Sequence, residues 1–150
     1  MYNGPLFIAS DHGGFKLKTK LTRYIEEKLD LEIKDLGPEK LVETDDYPDY
    51  ALPLAEKVVE KKGRGILICR NGIGVCVAAN KVKGARAGIG YNKKAAKSMM
   101  ADDNTNILCI PTDYVCKCKA KKMVKIWLDS EFSGDARHNR RLAKISKYEK

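Results

Sequence analysis

Short apolar runs alternate with stretches of helical spacing along the whole chain, and this alternation leaves few folds open. Leu6-Phe7-Ile8-Ala9, Gly65-Ile66-Leu67-Ile68-Cys69 and Ile107-Leu108-Cys109-Ile110 are continuous apolar runs. They are too short for buried helices and fit strands covered on both faces. Residues 31–36 and 85–90 read as two further strands. Between them, Leu17, Leu21, Ile25 and Leu29 recur every four residues and mark one helix face. Ala51, Leu54, Ala55, Val58 and Val59 mark a second, with Pro53 expected in its first turn and Gly63 closing it. A helix is expected over 75–82 with Gly84 as its cap, and another over 93–100. Ala120, Met123, Val124 and Trp127 form a further stripe, and a basic helix begins near Arg137 and passes through Leu142, Ile145 and Tyr148.

The order βαβαβαβαβα predicts a Rossmann-like three-layer α/β/α sandwich around a five-stranded parallel sheet. Residues 1–150 read as a single domain, without an internal linker or repeat. The terminal helix, about 137–150, has few apolar residues and is expected to pack on a second subunit.

Composition excludes several classes. With 43% hydrophobic residues the chain is not disordered. No apolar run approaches the length of a membrane span, so no membrane association is expected. Met1-Tyr2-Asn3-Gly4-Pro5 lacks the pattern of a signal peptide. The five cysteines, three of them in apolar runs, fit reduced thiols in a cytoplasmic protein. Cys116-Lys117-Cys118 has no companion CxxC or His pair to complete a zinc site and reads as thiols at a helix start. The net charge of +9 is uneven, because the last 34 residues hold eleven Lys or Arg against four acids. Such a segment can meet nucleic acid, an acidic surface or a phosphorylated small molecule. Its last helix has no interleaved aromatic residues, and nucleic-acid binding is not expected.

In open α/β sheets, ligands lie beyond the carboxyl ends of the strands. Four polar clusters are expected there: Asp11-His12-Gly13-Gly14, the loop 69–74, Asp102-Asp103-Asn104 with Asn106, and the acidic loop 37–50. In Cys69-Arg70-Asn71-Gly72-Ile73-Gly74 the glycines allow ligand approach to backbone N–H groups that can hold an oxyanion. The nest and the neighbouring Arg70 are both expected to favour a Cys69 thiolate. A nucleotide-phosphate loop and a purely structural turn remain open readings of this stretch. Arg137 and Arg141, spaced i, i+4 around His138, suit a phosphate or a solvated basic face.

Together these motifs resemble the ribose-5-phosphate isomerases of type B and the wider group with galactose-6-phosphate isomerase subunits. The segments that carry the likeness are Asp11-His12-Gly13-Gly14-Phe15, Asp46-Tyr47-Pro48-Asp49-Tyr50-Ala51, Gly65 to Gly74, Ala78-Ala79-Asn80-Lys81 with Gly84 and Arg86-Ala87, Asn104-Thr105-Asn106, and Arg137-His138 with Arg141. The resemblance implies a homodimer, in some members paired into a tetramer, with active sites between subunits. It implies reversible aldose–ketose isomerisation of a sugar phosphate through a cis-enediol, without cofactor or metal. Cys69 matches the base that moves a proton between C1 and C2. Gly72 and Gly74 match the hole for the enediolate, and Asn71 beside them is expected to act in catalysis as a hydrogen-bond donor. Asp11, His12, Tyr47, Arg70 and Asp103 fall among positions that contact substrate, and Arg137, His138 and Arg141 match the phosphate end, reached from the other subunit. The expected reaction interconverts ribose 5-phosphate and ribulose 5-phosphate. A hexose 6-phosphate such as allose or galactose 6-phosphate, and a non-catalytic sugar-phosphate binder, are the alternatives.

The chain departs from the family pattern at four places. Arg70 and Asn71 stand where Gly and Thr are usual. Asp102 replaces a His that assists opening of the furanose ring, and as a catalytic group it would need a raised pKa to donate a proton. Asp113 replaces an Arg that contacts phosphate. Val75 stands where some relatives carry a Glu base, which leaves Cys69 as the visible base.

Overall fold

The computed structural model describes residues 2–149. Five strands and six helices alternate: β1 (Leu6–Ser10), α1 (Phe15–Leu29), β2 (Lys34–Asp35), α2 (Pro48–Glu60), β3 (Arg64–Cys69), α3 (Ile73–Ala79), β4 (Ala87–Ile89), α4 (Lys93–Asp103), β5 (Ile107–Pro111), α5 (Lys117–Asp129) and α6 (Ala136–Ser146). The strands form one sheet in the order β2-β1-β3-β5-β4, and every pairing is parallel.

Alternation along the central strands divides the core between the two sheet faces. Leu6, Ile8, Ile66, Ile68, Leu108 and Ile110 point to the side covered by α1, α4 and α5. Phe7, Ala9, Leu67, Cys69, Ile107 and Cys109 point to the side covered by α2 and α3. The expected three-layer sandwich is therefore present. Leu21 and Ile25 of α1 and Leu54 and Val58 of α2 are fully buried, each contributing about 1.5–3 kcal/mol of burial free energy. Trp127 is enclosed on α5, and its indole N–H donates to Thr105 Oγ1 at 3.0 Å.

Several element boundaries differ from the sequence expectation. β2 has two residues rather than six, because α1 ends in a left-handed Asp30 and the Leu31 N–H still bonds to the Ile25 carbonyl. Pro53 lies inside α2, since that helix begins at Pro48. Pro53 and Asp49 are exposed, so water can reach the Asp49 carbonyl that Pro53 leaves unbonded. α3 ends at Ala79, and Gly84, at φ +83°, belongs to the loop before β4. α4 continues to Asp103, where left-handed Asn104 stops it.

The longer α4 corrects one placement. A crossover helix runs antiparallel to its strands, so its C-terminus lies at their amino ends. Asp102 and Asp103 close α4 just before β5. They therefore sit at the amino edge of the sheet, not at the carboxyl edge with Cys69. α6 packs against α4 there, with His138 as its buried residue.

Candidate active site

The chain turns from β1 toward β2 on one side and from β3 toward the rest of the sheet on the other. The carboxyl ends of β1 and β3 thus flank the crevice where α/β sheets hold ligands. Asp11 follows β1, Cys69 ends β3, and Thr112 and Asp113 follow β5 alongside. Backbone bonds join the loops. Thr112 N–H donates to the Cys69 carbonyl at 3.0 Å, and Asp113 N–H donates to the Arg70 carbonyl at 2.9 Å.

Cys69 is buried, and its sulfur accepts the Gly72 N–H at 3.1 Å. Gly72 is left-handed at φ +74°, with Pro111 only 3.3 Å from where a Cβ would stand. That conformation starts α3 and turns the Gly72 N–H back toward the thiol. The Ile73 N–H is occupied by Asn71 Oδ1 at 2.9 Å. Among the described residues, the Gly74 N–H and Asn71 Nδ2 have no partner and remain as donors for a ligand oxygen. The Tyr47 ring lies over Gly74, where an added Cβ would be 2.9 Å from its Cζ.

The Cys69 electrostatics correct an expectation. Burial pushes the thiol above its ordinary pKa, and the Asp11 charge adds to that, outweighing N–H donation from Gly72, Val75 and Asn71. Arg70 does not favour the thiolate, because its Nε–H is held by Asp113 Oδ2 at 3.2 Å and its side chain is 70% exposed. Arg70 instead passes over Gly13, with Cγ 2.4 Å from the ideal Cβ position of that residue.

Asp11 is buried, and its Oδ1 accepts the Gly14 N–H at 3.0 Å. Burial raises its pKa, opposed mainly by that bond. The neighbouring His12 pairs with Asp45, Nδ1 to Oδ1, at 2.7 Å. The same Asp45 oxygen accepts the His12 backbone N–H at 3.0 Å. Asp45 was not singled out from the sequence. It is one acid among several in an acidic loop, and only the fold carries it across to His12.

The structure thus brings together Asp11, His12, Tyr47, Cys69, Arg70, Asn71, Gly72 and Gly74. Asp102, Asp103, Arg137, His138 and Arg141 form a second group at the opposite edge. His138 is buried, 3.0 Å from Ser133 Oγ and 3.9 Å from Asp102 Oδ1. Arg137 and Arg141 are exposed on α6. No hydrogen bond or ion pair joins the two groups among the described residues. No cluster of three or more His, Cys, Asp or Glu residues suited to a metal ion occurs among the described residues, and no helix among them is long and apolar enough to cross a membrane.

A family model described as ribose/galactose isomerase matches residues 6–145. The chain is 41% identical over 149 residues to a probable ribose-5-phosphate isomerase B of Mycoplasma pneumoniae, covering 99% of this chain and 97% of that protein. It is 43% identical over 143 residues to a putative sugar phosphate isomerase of Bacillus subtilis, covering 95% of each. A solved structure of ribose-5-phosphate isomerase B from Mycoplasma genitalium with bound ribulose-5-phosphate superposes with a TM-score of 0.93 at 40% identity, covering 99% of this chain and 98% of that one. Fold, motif order and similarity along nearly the whole length agree, and the chain belongs to the ribose/galactose isomerase family.

Proposed function

We propose that this protein is an aldose–ketose isomerase that interconverts ribose 5-phosphate and ribulose 5-phosphate, acting as a cytoplasmic homodimer. The observation that carries the reading is the Cys69 thiol at the β1/β3 crevice, beside a helix start with unpartnered donors. Its relatives of the same length include proteins named for this activity.

Cys69, as thiolate, takes the proton from C2 of the open-chain aldose. The C–H electron pair forms the C1=C2 bond, and charge moves onto O1 within reach of the Gly74 N–H and Asn71 Nδ2. The O2 proton passes to O1, and Cys69 returns its proton to C1, giving the ketose. A carbon-bound proton requires a strong base, and burial makes the Cys69 thiolate more basic than an exposed one.

The distribution of the two groups supports the dimer, given a phosphate role for Arg137 and Arg141. Arg137 and Arg141 lie at the sheet edge opposite Cys69, so a phosphate bound beside Cys69 meets them only from a second copy. α6 presents exposed Ile145, Tyr148 is exposed just beyond its end, and α3 presents exposed Ile73 and Val77. A groove of about 670 Å³ runs between α6 and the start of β4, lined in part by Arg86, Leu142, Ile145 and Tyr148.

The first test is conversion of ribose 5-phosphate by the purified protein, with no conversion rejecting the reading. The second mixes two inactive variants, Cys69→Ala and the double Arg137→Ala/Arg141→Ala, after subunit exchange. Mixed dimers would hold one intact site, restoring about a quarter of wild-type activity. No restoration, with exchange verified, would reject the shared site.

A further inference from the structure

Lys18 is the one lysine that the fold buries among the described residues, with a side chain 2% exposed. The proton transfers at Cys69 make no use of it. It lies on α1 at i−3 from Leu21 and i−7 from Ile25, so it shares the inward face of that helix. An enclosed ammonium is costly unless it is paired and hydrogen-bonded. Here Nζ donates to Asp35 Oδ2, and to the Pro38 carbonyl at 2.8 Å. It also lies 5.4 Å from the centre of the Phe15 ring.

These partners stand where the chain leaves β2 and enters the 37–50 loop. Backbone bonds secure the chain up to Gly37. The Leu36 N–H donates to the Ile8 carbonyl at 2.8 Å, and the Gly37 carbonyl accepts the Ser10 N–H at 3.1 Å. Asp35 Oδ1 accepts the Gly37 N–H at 2.9 Å. At buried Pro38 the support changes, because Lys18 is the only donor to its carbonyl among the described residues. The pyrrolidine ring fixes φ of Pro38, and the bond to its carbonyl fixes ψ. Together they set the direction in which the loop departs.

Residues 39–44 are then all exposed. Their one hydrogen bond among the described residues is local, from the Asp45 N–H to the Val42 carbonyl at 3.3 Å. The loop meets the body again only at its far end. Asp45 Oδ1 holds the His12 backbone N–H at 3.0 Å and its ring Nδ1 at 2.7 Å, and the Tyr47 ring covers Gly74. A bridge of six unsupported residues delivers its far end to a defined place only if its root is fixed.

We propose that Lys18 is a positioning residue of the active site, which fixes the root of the 37–50 loop so that Asp45 and Tyr47 reach His12 and Gly74. The inference rests on the isomerase reading above. Lys18 touches no substrate and acts through Asp35 and the Pro38 carbonyl.

Lys18→Met keeps most of the side-chain length and removes the ammonium. Its kcat/KM for ribose 5-phosphate should fall about 10²-fold, the scale of a reacting centre misplaced by about 1 Å from a distance. Backbone hydrogen exchange of the whole protein separates positioning from stability. In Lys18→Met the His12 N–H, which is bonded to Asp45, should lose more protection than the central-strand amides of Ile66 and Leu108. An unchanged kcat/KM, or a loss of protection equal at all three amides, would overturn the proposal. Asp35→Ala, on an edge strand, removes the side-chain partner of the same anchor and serves if Lys18→Met folds poorly. It should show the same local loss at His12, and an unmoved His12 N–H would count equally against the anchor. Wild-type protein inactive on ribose 5-phosphate would reject the isomerase reading, whereas the exchange pattern decides separately whether Lys18 fixes the loop.

Discussion

Gly14→Ala should destabilise the protein, and adjacent Gly13→Ala should not. An ideal Cβ on Gly14 would stand 2.3 Å from the Ile68 carbonyl oxygen and 2.7 Å from Ser10 Cβ. Ordinary contact needs roughly 3.4 Å, so the β1–α1 turn must retreat about 1 Å from β3. Both neighbours belong to central strands and cannot swing aside. Gly14 has ordinary right-handed angles, φ −90° and ψ −15°, so the penalty is contact rather than backbone strain. Overpacking of this kind costs about 1–3 kcal/mol, the upper end fitting a backbone obstacle, and reduced freedom of the unfolded chain offsets about 0.4–1 kcal/mol. The net of about 2 kcal/mol corresponds to a fall in Tm of roughly 4–8 °C for a domain of this size. At Gly13 the obstacle is Arg70 Cγ, part of an exposed side chain that can rotate away. That variant should melt within about 2 °C of wild type while breaking the Arg70–Asp113 pair. Scanning calorimetry of both variants checks this. A Gly14→Ala protein as stable as wild type, or a Gly13→Ala protein equally damaged, would refute the reasoning.

Cys69→Ser should lower turnover of ribose 5-phosphate by about 10²-fold or more with an unchanged circular-dichroism melt, and unchanged turnover would remove Cys69 as the base. In wild type without substrate, iodoacetamide labelling of Cys69, read by peptide mass spectrometry, should accelerate only at alkaline pH, because burial and Asp11 hold the thiol above its ordinary pKa. Asp11→Asn should shift that labelling profile to lower pH. The same variant should raise Tm at neutral pH. The folded-state pKa of Asp11 is raised, so its contribution to stability is full at low pH and lost as pH rises through the folded value. An unchanged or lower Tm would contradict this. Arg137→Ala should raise KM more than it lowers kcat in steady-state assays; loss of kcat alone would remove Arg137 from the phosphate end.

The layered fold was legible because the central strands are nearly all apolar and the helices have one apolar face. Boundaries were less legible where tertiary contacts decide them. β2 is short because the chain leaves α1 through a left-handed Asp30 with the Leu31 N–H bonded back to Ile25, and α2 starts before Pro53 because Pro48 can open a helix. Cys69, Gly72 and Gly74 were legible as a site because a glycine pair after a buried strand has few other uses. Asp45 was not, since its partner is 33 residues away in sequence and its neighbour Asp46 is chemically identical. Arg70 was misread for the same reason. Its effect on Cys69 was inferred from adjacency, but the side chain points to Asp113, which follows a different strand.

The two outermost strands have a consequence for how copies of this chain can meet. β2 contributes two residues and β4 three, while β1, β3 and β5 between them are five or six residues long. A visiting strand would find little backbone to bond to at either margin, and at β2 it would meet the exposed charges of Lys34 and Asp35. Sheet extension from one molecule into the next is thereby discouraged, and with it a common route to fibrous aggregation. Association is left to helix surfaces, where side chains rather than backbone amides select the partner.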